Sequence, residues 1–302
     1  MTFQIDESLH WTDHYVEHGM ARIKNALPSS CCDTAVAAIQ KALGTDLPPS
    51  QWACPPLEPN APERLRTVSV FEHQEREDHG QPELQAVLDT IYDQPEIRDI
   101  IDTMFGSPDH WDGSRPYQLF IRLFDPNAKQ VLSEPHVDFV NVRIPVIGNW
   151  FYFQVSLVKT EPFSGNISIY PGLHKIVQKR LIEQPNWWYG SSPKQKQEWN
   201  EMIAGIEPFE FVADPGDVLL FSHLAGHAGN ASAATGRSPR VAMQCQAIRK
   251  DWPSKIDATD PNLTPWQRSL AHNGSIDLGC DEGKLQADAY RQRQDREAAA
   301  KA

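Results

Sequence analysis

Between residues 117 and 249 the apolar residues come in short, β-prone runs separated by turn formers, and that spacing restricts the fold more than any other feature of the chain. The runs fall at 118–124, 136–140, 150–158, 166–170, 209–212, 217–221 and 241–248. Short strands so spaced predict an antiparallel sandwich or barrel. Residues 181–206 interrupt the pattern. There Trp187, Trp188, Tyr189 and Trp199 stand among Gln, Lys and Glu, which predicts a helical insertion. Large aromatics on such a segment suggest a lid over a bound molecule.

Before residue 117 the chain reads as mainly helical. Residues 9–17 predict a short helix, and Met20-Ala21-Arg22-Ile23 a short strand. After Pro28-Ser29-Ser30, the residues Val36, Ile39 and Leu43 lie at helical spacing, with Gly44 where a C-terminal cap belongs. Residues 48–62 carry Pro48, Pro49, Pro55, Pro56, Pro59 and Pro62, and can be neither helix nor central strand. Two more helices are predicted over 83–91 and 95–105; Ile97, Ile100, Ile101 and Met104 stripe the second. Beyond residue 249, Thr264-Pro265 opens a helix and 284–302 is a charged, alanine-rich tail. The expectation is one domain over 1–302, mainly β. It has a helical N-terminal region (1–116), a β core (117–250) flanked by α-helices and a C-terminal region of loops and helices (251–302).

Composition excludes several functions. A formal net charge of -12 argues against nucleic acid as the main partner, since phosphate binding needs a basic surface. Five Cys, two of them adjacent at Cys31 and Cys32, form neither a disulfide framework nor a zinc pattern, and read as free thiols in a reducing compartment. No apolar run approaches the ~20 residues that span a bilayer. The first residues lack the basic and then apolar regions of a signal peptide. The expectation is a cytoplasmic protein without membrane or nucleic-acid partners; the sequence leaves its oligomeric state open.

The chemistry concentrates in Glu134-Pro135-His136-Val137-Asp138-Phe139. If this is a strand, its period of two puts His136 and Asp138 on one face. They are two corners of the 2-His-1-carboxylate arrangement that holds non-haem Fe(II) with open positions. A third ligand is offered after the Pro215-Gly216-Asp217 turn, where His223 and His227 follow an apolar strand in a Gly/Ala-rich stretch. Small neighbours leave room around His227; His223 remains the alternative. Farther on, Arg237 and Arg240 are candidate anion anchors, because a guanidinium opening an apolar strand needs an acceptor.

His136-x-Asp138, Ile169-Tyr170-Pro171-Gly172-Leu173-His174-Lys175, Pro215-Gly216-Asp217-Val218-Leu219-Leu220-Phe221, His227 and Arg240-x-Ala242 together resemble the phytanoyl-CoA dioxygenase family, over roughly residues 118–249. The resemblance implies a double-stranded β-helix (a jelly-roll, cupin-like core). It also implies an Fe(II)- and 2-oxoglutarate-dependent oxygenase that uses O2. His136, Asp138 and His227 would be the iron ligands, and Arg240, with Arg237 as alternative, would pair with the distal carboxylate of 2-oxoglutarate. The reaction implied is hydroxylation of a C–H bond in a small organic molecule, with 2-oxoglutarate converted to succinate and CO2. Related halogenases carry a small residue at the place of Asp138, so the carboxylate makes hydroxylation the default.

Around these, Gln118 and Arg122 share a strand face that looks toward the co-substrate or outward to water. Asn141, Trp150, His223 and Trp188 are candidate substrate contacts, with core packing the competing role for Trp150. His174 reads as a structural residue of a turn. Lys175, Lys179 and Arg180 read as a solvated basic patch or, less often, a seat for an acidic substrate. Two other functions fit the same residues: a cupin-like metal enzyme that does not use 2-oxoglutarate, and a non-catalytic cupin-type binding module. A zinc hydrolase lacks its H-E-x-x-H motif and Cys ligands.

Overall fold

The computed structural model describes residues 3–51 (except 4 and 7), 67–73, 82–122, 134–138, 147–184, 187, 192–229, 240–253 and 255–277. In chain order the first elements are α1 (Trp11–His18), β1 (Met20–Ile23), α2 (Ser29–Leu43), β2 (Thr67–His73), α3 (Pro82–Asp89) and α4 (Pro95–Phe105). The middle of the chain forms β3 (Tyr117–Arg122), β4 (Trp150–Ser156), β5 (Ile167–Ile169), α5 (Leu173–Glu183) and α6 (Pro193–Ile203). There follow β6 (Phe209–Glu210), β7 (Val218–Ser222), β8 (His227–Gly229), β9 (Arg240–Ile248), β10 (Lys255–Ile256), α7 (Pro265–Leu270) and β11 (Ile276–Asp277).

The strands build a six-stranded sheet in the order β1-β7-β4-β9-β3-β2 and a three-stranded sheet in the order β6-β5-β8, with β10 and β11 pairing apart. Every strand pair among the described residues is antiparallel. Central strand β4, Trp-Phe-Tyr-Phe-Gln-Val-Ser, is buried along its whole length, as a strand covered on both faces must be. Trp150 and Tyr152 join Ile167, Ile169, Phe209, Leu219 and Phe221 in a core between the two sheets. Phe151, Phe153 and Val155 point the other way, into a larger core shared with the helices. The result is a layered antiparallel arrangement with helices on the outer face of the large sheet.

The helices follow from their stripes and ends. In α4, Ile97, Ile100, Ile101 and Met104 are at most 5% exposed, each burial contributing roughly 1.5–3 kcal/mol. Helix α7 starts on a capping box: Thr264 accepts from the Gln267 amide, and Gln267 accepts from the Thr264 amide. The Pro215-Gly216-Asp217 turn is fixed by two contacts. Gly216 has φ +88° and lies where a Cβ would meet the Leu27 carbonyl oxygen at 2.3 Å, so only glycine fits. Buried Asp217 pairs with Arg22 and accepts from the Asn25 amide (2.9 Å).

Several expectations need correction. The described chain is mixed α and β rather than mainly β, with helices in the N-terminal third, in the insertion and near the C-terminus. Strand β2 lies inside the region read as helical and closes one edge of the large sheet. Residues 136–138 are not a regular strand; His136 makes a single isolated bridge to His227 and Asp138 sits in a bend. Helix α5 begins at Leu173, earlier than the predicted insertion. On α5 the basic patch is largely neutralised, Lys175 pairing with Glu17 (2.7 Å) and Arg180 with Glu198 (2.7 Å). No helix among the described residues is long and apolar enough to cross a membrane. Cys31, Cys32 and Cys245 are free thiols. The tail 284–302 and most of the proline-rich stretch lie outside the described residues.

Candidate metal centre

Two backbone segments deliver the candidate ligands. The first, 134–138, follows no regular strand and is held by the second. The second leaves β7, turns at Ser222 (the Ala225 amide donates to the Ser222 carbonyl, 2.9 Å) and enters β8 at His227. The His136 amide donates to the His227 carbonyl (2.9 Å), and the His227 amide donates back to His136 (2.8 Å). This reciprocal pair brings the two side chains to the same place, with ring centroids 4.4 Å apart. Behind His227, β8 pairs with β5, Ile169 standing opposite His227.

The ring tautomers are set by the chain itself. Nδ1 of His136 lies 3.0 Å from the Glu134 carbonyl and Nδ1 of His227 lies 3.2 Å from the Ala225 carbonyl. In each case the carbonyl two residues upstream takes the Nδ1 proton, which leaves Nε2 as a lone-pair donor. The Asp138 Oδ1 oxygen completes the group, 3.6 Å from His227 Nε2 and 4.0 Å from His136 Nε2. One ligand atom from each residue lies within 4.8 Å of the others. Burial pushes the His227 imidazole below its ordinary range, and the His136 ring adds to this against the pull of Asp138. The neutral form, which is the ligating one, is thereby favoured. Two imidazole nitrogens and a carboxylate oxygen suit a divalent transition metal such as iron.

Gly226 has a different part from the one its size suggested. A Cβ there would lie 2.3 Å from Leu173 Cδ2 and 3.5 Å from Trp199 Cη2. The small residue admits two large apolar side chains against the backbone next to His227, instead of opening space.

Arg240 opens β9, only 5% exposed, and donates to the Gly165 carbonyl (2.8 Å) and to Gln154 Oε1 (3.4 Å). Its guanidinium lies 5.2 Å from the Phe120 ring centroid. Register aligns Gln118 with Gln244 and Gln154 in one cross-strand row, and Arg122 with Arg240 in another. Of the candidate co-substrate residues, Gln118 and Arg240 therefore share the face of the large sheet that also carries Trp150 and Tyr152. Trp150 is packed between the sheets, 5.2 Å from the His223 ring and 6.0 Å from Trp252. His223 is buried, and its Nε2 accepts the Gly148 amide (3.0 Å), tying the approach to β4 to the turn before His227. Asn141, Trp188 and Arg237 lie outside the described residues. A cavity of about 700 Å³ beside β1 and β6, lined by Phe3, Arg22, Phe209 and Glu210 among others, includes none of these candidates.

Gln154 escaped the sequence reading, and Trp199, read there as part of a lid, makes a contact that the reading did not give it. Gln154 touches Arg240, and its signal was a glutamine inside the apolar run of β4. Trp199 donates its indole N–H to the Pro135 carbonyl (3.0 Å). Its signal was a lone aromatic among the Lys, Gln and Glu of helix α6.

No protein-family model matches the chain, and no curated protein matches it by sequence. Solved structures do. AviO1 from Streptomyces viridochromogenes Tue57 superposes with a TM-score of 0.51 at 15% identity, over 83% of this chain and 99% of that one. SnoK, a non-haem α-ketoglutarate-dependent carbocyclase from nogalamycin biosynthesis, gives 0.50 at 16% identity, over 94% and 90%. At these identities the likeness is one of fold.

Proposed function

We propose that the chain is an Fe(II)- and 2-oxoglutarate-dependent oxygenase of the phytanoyl-CoA dioxygenase kind, on a double-stranded β-helix, that hydroxylates a C–H bond of a small organic molecule. The observation that carries this reading is the donor set: two imidazoles with Nδ1 bound to carbonyls and Nε2 directed toward one carboxylate. The fold shared with SnoK, described as α-ketoglutarate-dependent, supports it.

In this reading His136, Asp138 and His227 hold the iron. Arg240 receives the distal carboxylate of 2-oxoglutarate, with Gln118 and Arg122 as further co-substrate contacts. The buried fork of Arg240 suits a carboxylate, and Gln154 orients it. Asn141, Trp150, His223 and Trp188 are the proposed substrate contacts. Bound there with 2-oxoglutarate and O2, iron supplies an oxidative decarboxylation to succinate and CO2 coupled to oxidation of the substrate. The protein's share is to fix the ligands, orient the co-substrate and set one C–H bond near the metal. Asp138 occupies the position that a halogenase leaves to halide, which favours hydroxylation.

An anaerobic titration of the protein with Fe(II) and 2-oxoglutarate tests this. A weak visible charge-transfer band is expected, absent in Asp138→Ala. No band in the wild-type protein overturns the proposal; a band that persists unchanged in Arg240→Ala removes Arg240 from it.

A further inference from the structure

We infer that Trp199 is a positioning residue that clamps the two ligand-bearing segments together, so that helix α6 belongs to the metal centre and is not a lid above it. The inference rests on the metal-binding reading. Its indole N–H donates to the carbonyl of Pro135, the residue before His136. The far edge of the same ring, Cη2, packs against Gly226, the residue before His227. One side chain thus touches the neighbour of each histidine. Trp199 is 1% exposed, so the ring is enclosed by these contacts rather than presented to solvent.

The clamp is itself anchored. Ser192 caps α6 by accepting the Gln195 amide (3.3 Å), and Pro193 opens the first turn. One position before Trp199, Glu198 accepts from the Trp187 indole (3.1 Å) and pairs with Arg180 of α5 (2.7 Å). Buried Leu173 at the start of α5 packs beside Trp199 where a side chain on Gly226 would lie, and the Gly226 carbonyl accepts the Tyr170 amide (2.9 Å). The exposed Lys196–Glu134 pair (2.8 Å) adds little by comparison. Segment 134–138 has no regular strand to hold it. Beyond its bridge to His227, the Trp199 hydrogen bond fixes the height of its backbone. Ligand geometry must hold to about 0.5 Å for tight metal binding, so a loose Pro135 carbonyl should be felt at the metal.

The test uses Co(II) alone as the probe, with binding followed by its visible ligand-field absorption, on the wild type, Trp199→Phe and Trp187→Phe. The wild type should bind. Trp199→Phe, which keeps a ring against Gly226 and loses the N–H, should bind about tenfold more weakly with altered bands, the range for partners that orient metal ligands. Trp187→Phe removes an equally buried indole N–H that meets neither ligand segment but Glu198, which Arg180 still holds (2.7 Å), and it should bind as the wild type does. Replacing Trp199 with β-(3-benzothienyl)alanine, a ring of the same shape with sulfur for N–H, should reproduce the tenfold loss even if Phe is poorly accommodated. Wild-type affinity and bands in both Trp199 replacements overturn the clamp, as do equal losses at positions 187 and 199. No Co(II) binding by the wild type, or undiminished binding by Asp138→Ala, overturns the metal reading beneath it.

Discussion

His136 and His227 are hydrogen-bonded to each other through both their backbone amides, at 2.9 and 2.8 Å, although neither bond involves a side chain that would touch a metal. The imidazole pair is therefore assembled by the fold, and the carboxylate of Asp138 is added to it. Asp138 is partly exposed and its removal should leave the scaffold standing. Asp138→Ala is expected to melt within a few degrees of the wild type yet to lose metal affinity by about a hundredfold or more, above the range for partners outside the ligand set. Metal stoichiometry by atomic absorption beside a thermal melt checks this. Wild-type stoichiometry in the variant would remove Asp138 from the site.

Arg240 carries a different pair of consequences. Its side chain serves buried acceptors, Gly165 and Gln154, so truncation affects the fold as well as any bound carboxylate. Arg240→Ala should lose roughly 1–3 kcal/mol of stability for each buried acceptor left unmet. Arg240→Lys keeps the charge without the planar fork. It should be the more stable of the two variants, yet still bind 2-oxoglutarate at least about tenfold more weakly than the wild type. Urea melts and an anaerobic co-substrate titration separate the two effects. A lysine variant with wild-type affinity would mean that charge alone suffices.

How far the sequence could be read depended on how local each signal is. The α4 stripe Ile97, Ile100, Ile101 and Met104 and the Thr264-Pro265 helix start are local, and both stand as expected. The strands β3, β4, β5 and β9 were visible as apolar runs for the same reason. Strand β2 was not, because Thr67–His73 follows a proline-rich stretch and its pairing with β3 contains a register shift that obscures the alternation. His136 and Asp138 were identified from their spacing through a mistaken step, since no regular strand holds them. What aligns His136 is a partner far along the chain, His227, and no local pattern reports that. The packing of the insertion's tryptophans was not legible either. Trp187 and Trp199 are each 1% exposed, and burial by distant segments cannot be read from a polar helix.

Gly226 should be intolerant of even a methyl group. In Gly226→Ala the new Cβ meets Leu173 Cδ2 at 2.3 Å, and Leu173 is itself fully enclosed. Overpacking of this kind costs about 1–3 kcal/mol. Adding Leu173→Ala should restore part of that loss, giving a coupling of about 0.5–3 kcal/mol between two substitutions that each destabilise alone. A double-mutant cycle by urea denaturation measures it. Strict additivity would show that the Leu173 contact is not what excludes a side chain at 226.

His174 gives the pH dependence its sign. The ring is 2% exposed, with Gly19 against it, and neither nitrogen makes a hydrogen bond of good geometry. Burial pushes its imidazole down to about 3; Lys175, His272 and His18 add to the shift, and the Val16 carbonyl opposes it. The folded value is thus below the unfolded one, so between the two the unfolded chain binds the extra proton. Stability from this group is complete above about pH 6.5 and is lost as pH falls toward 3, by up to about 1.4 kcal/mol per pH unit. Between pH 7 and pH 5 the loss integrates to about 2 kcal/mol. His174→Leu removes the titration while keeping an apolar filler, so the wild type should weaken by about 2 kcal/mol more than the variant over that interval. Urea denaturation at the two pH values reads the difference. Parallel losses in both proteins would mean that the ring is protonated in the folded state, with Val16 as its acceptor.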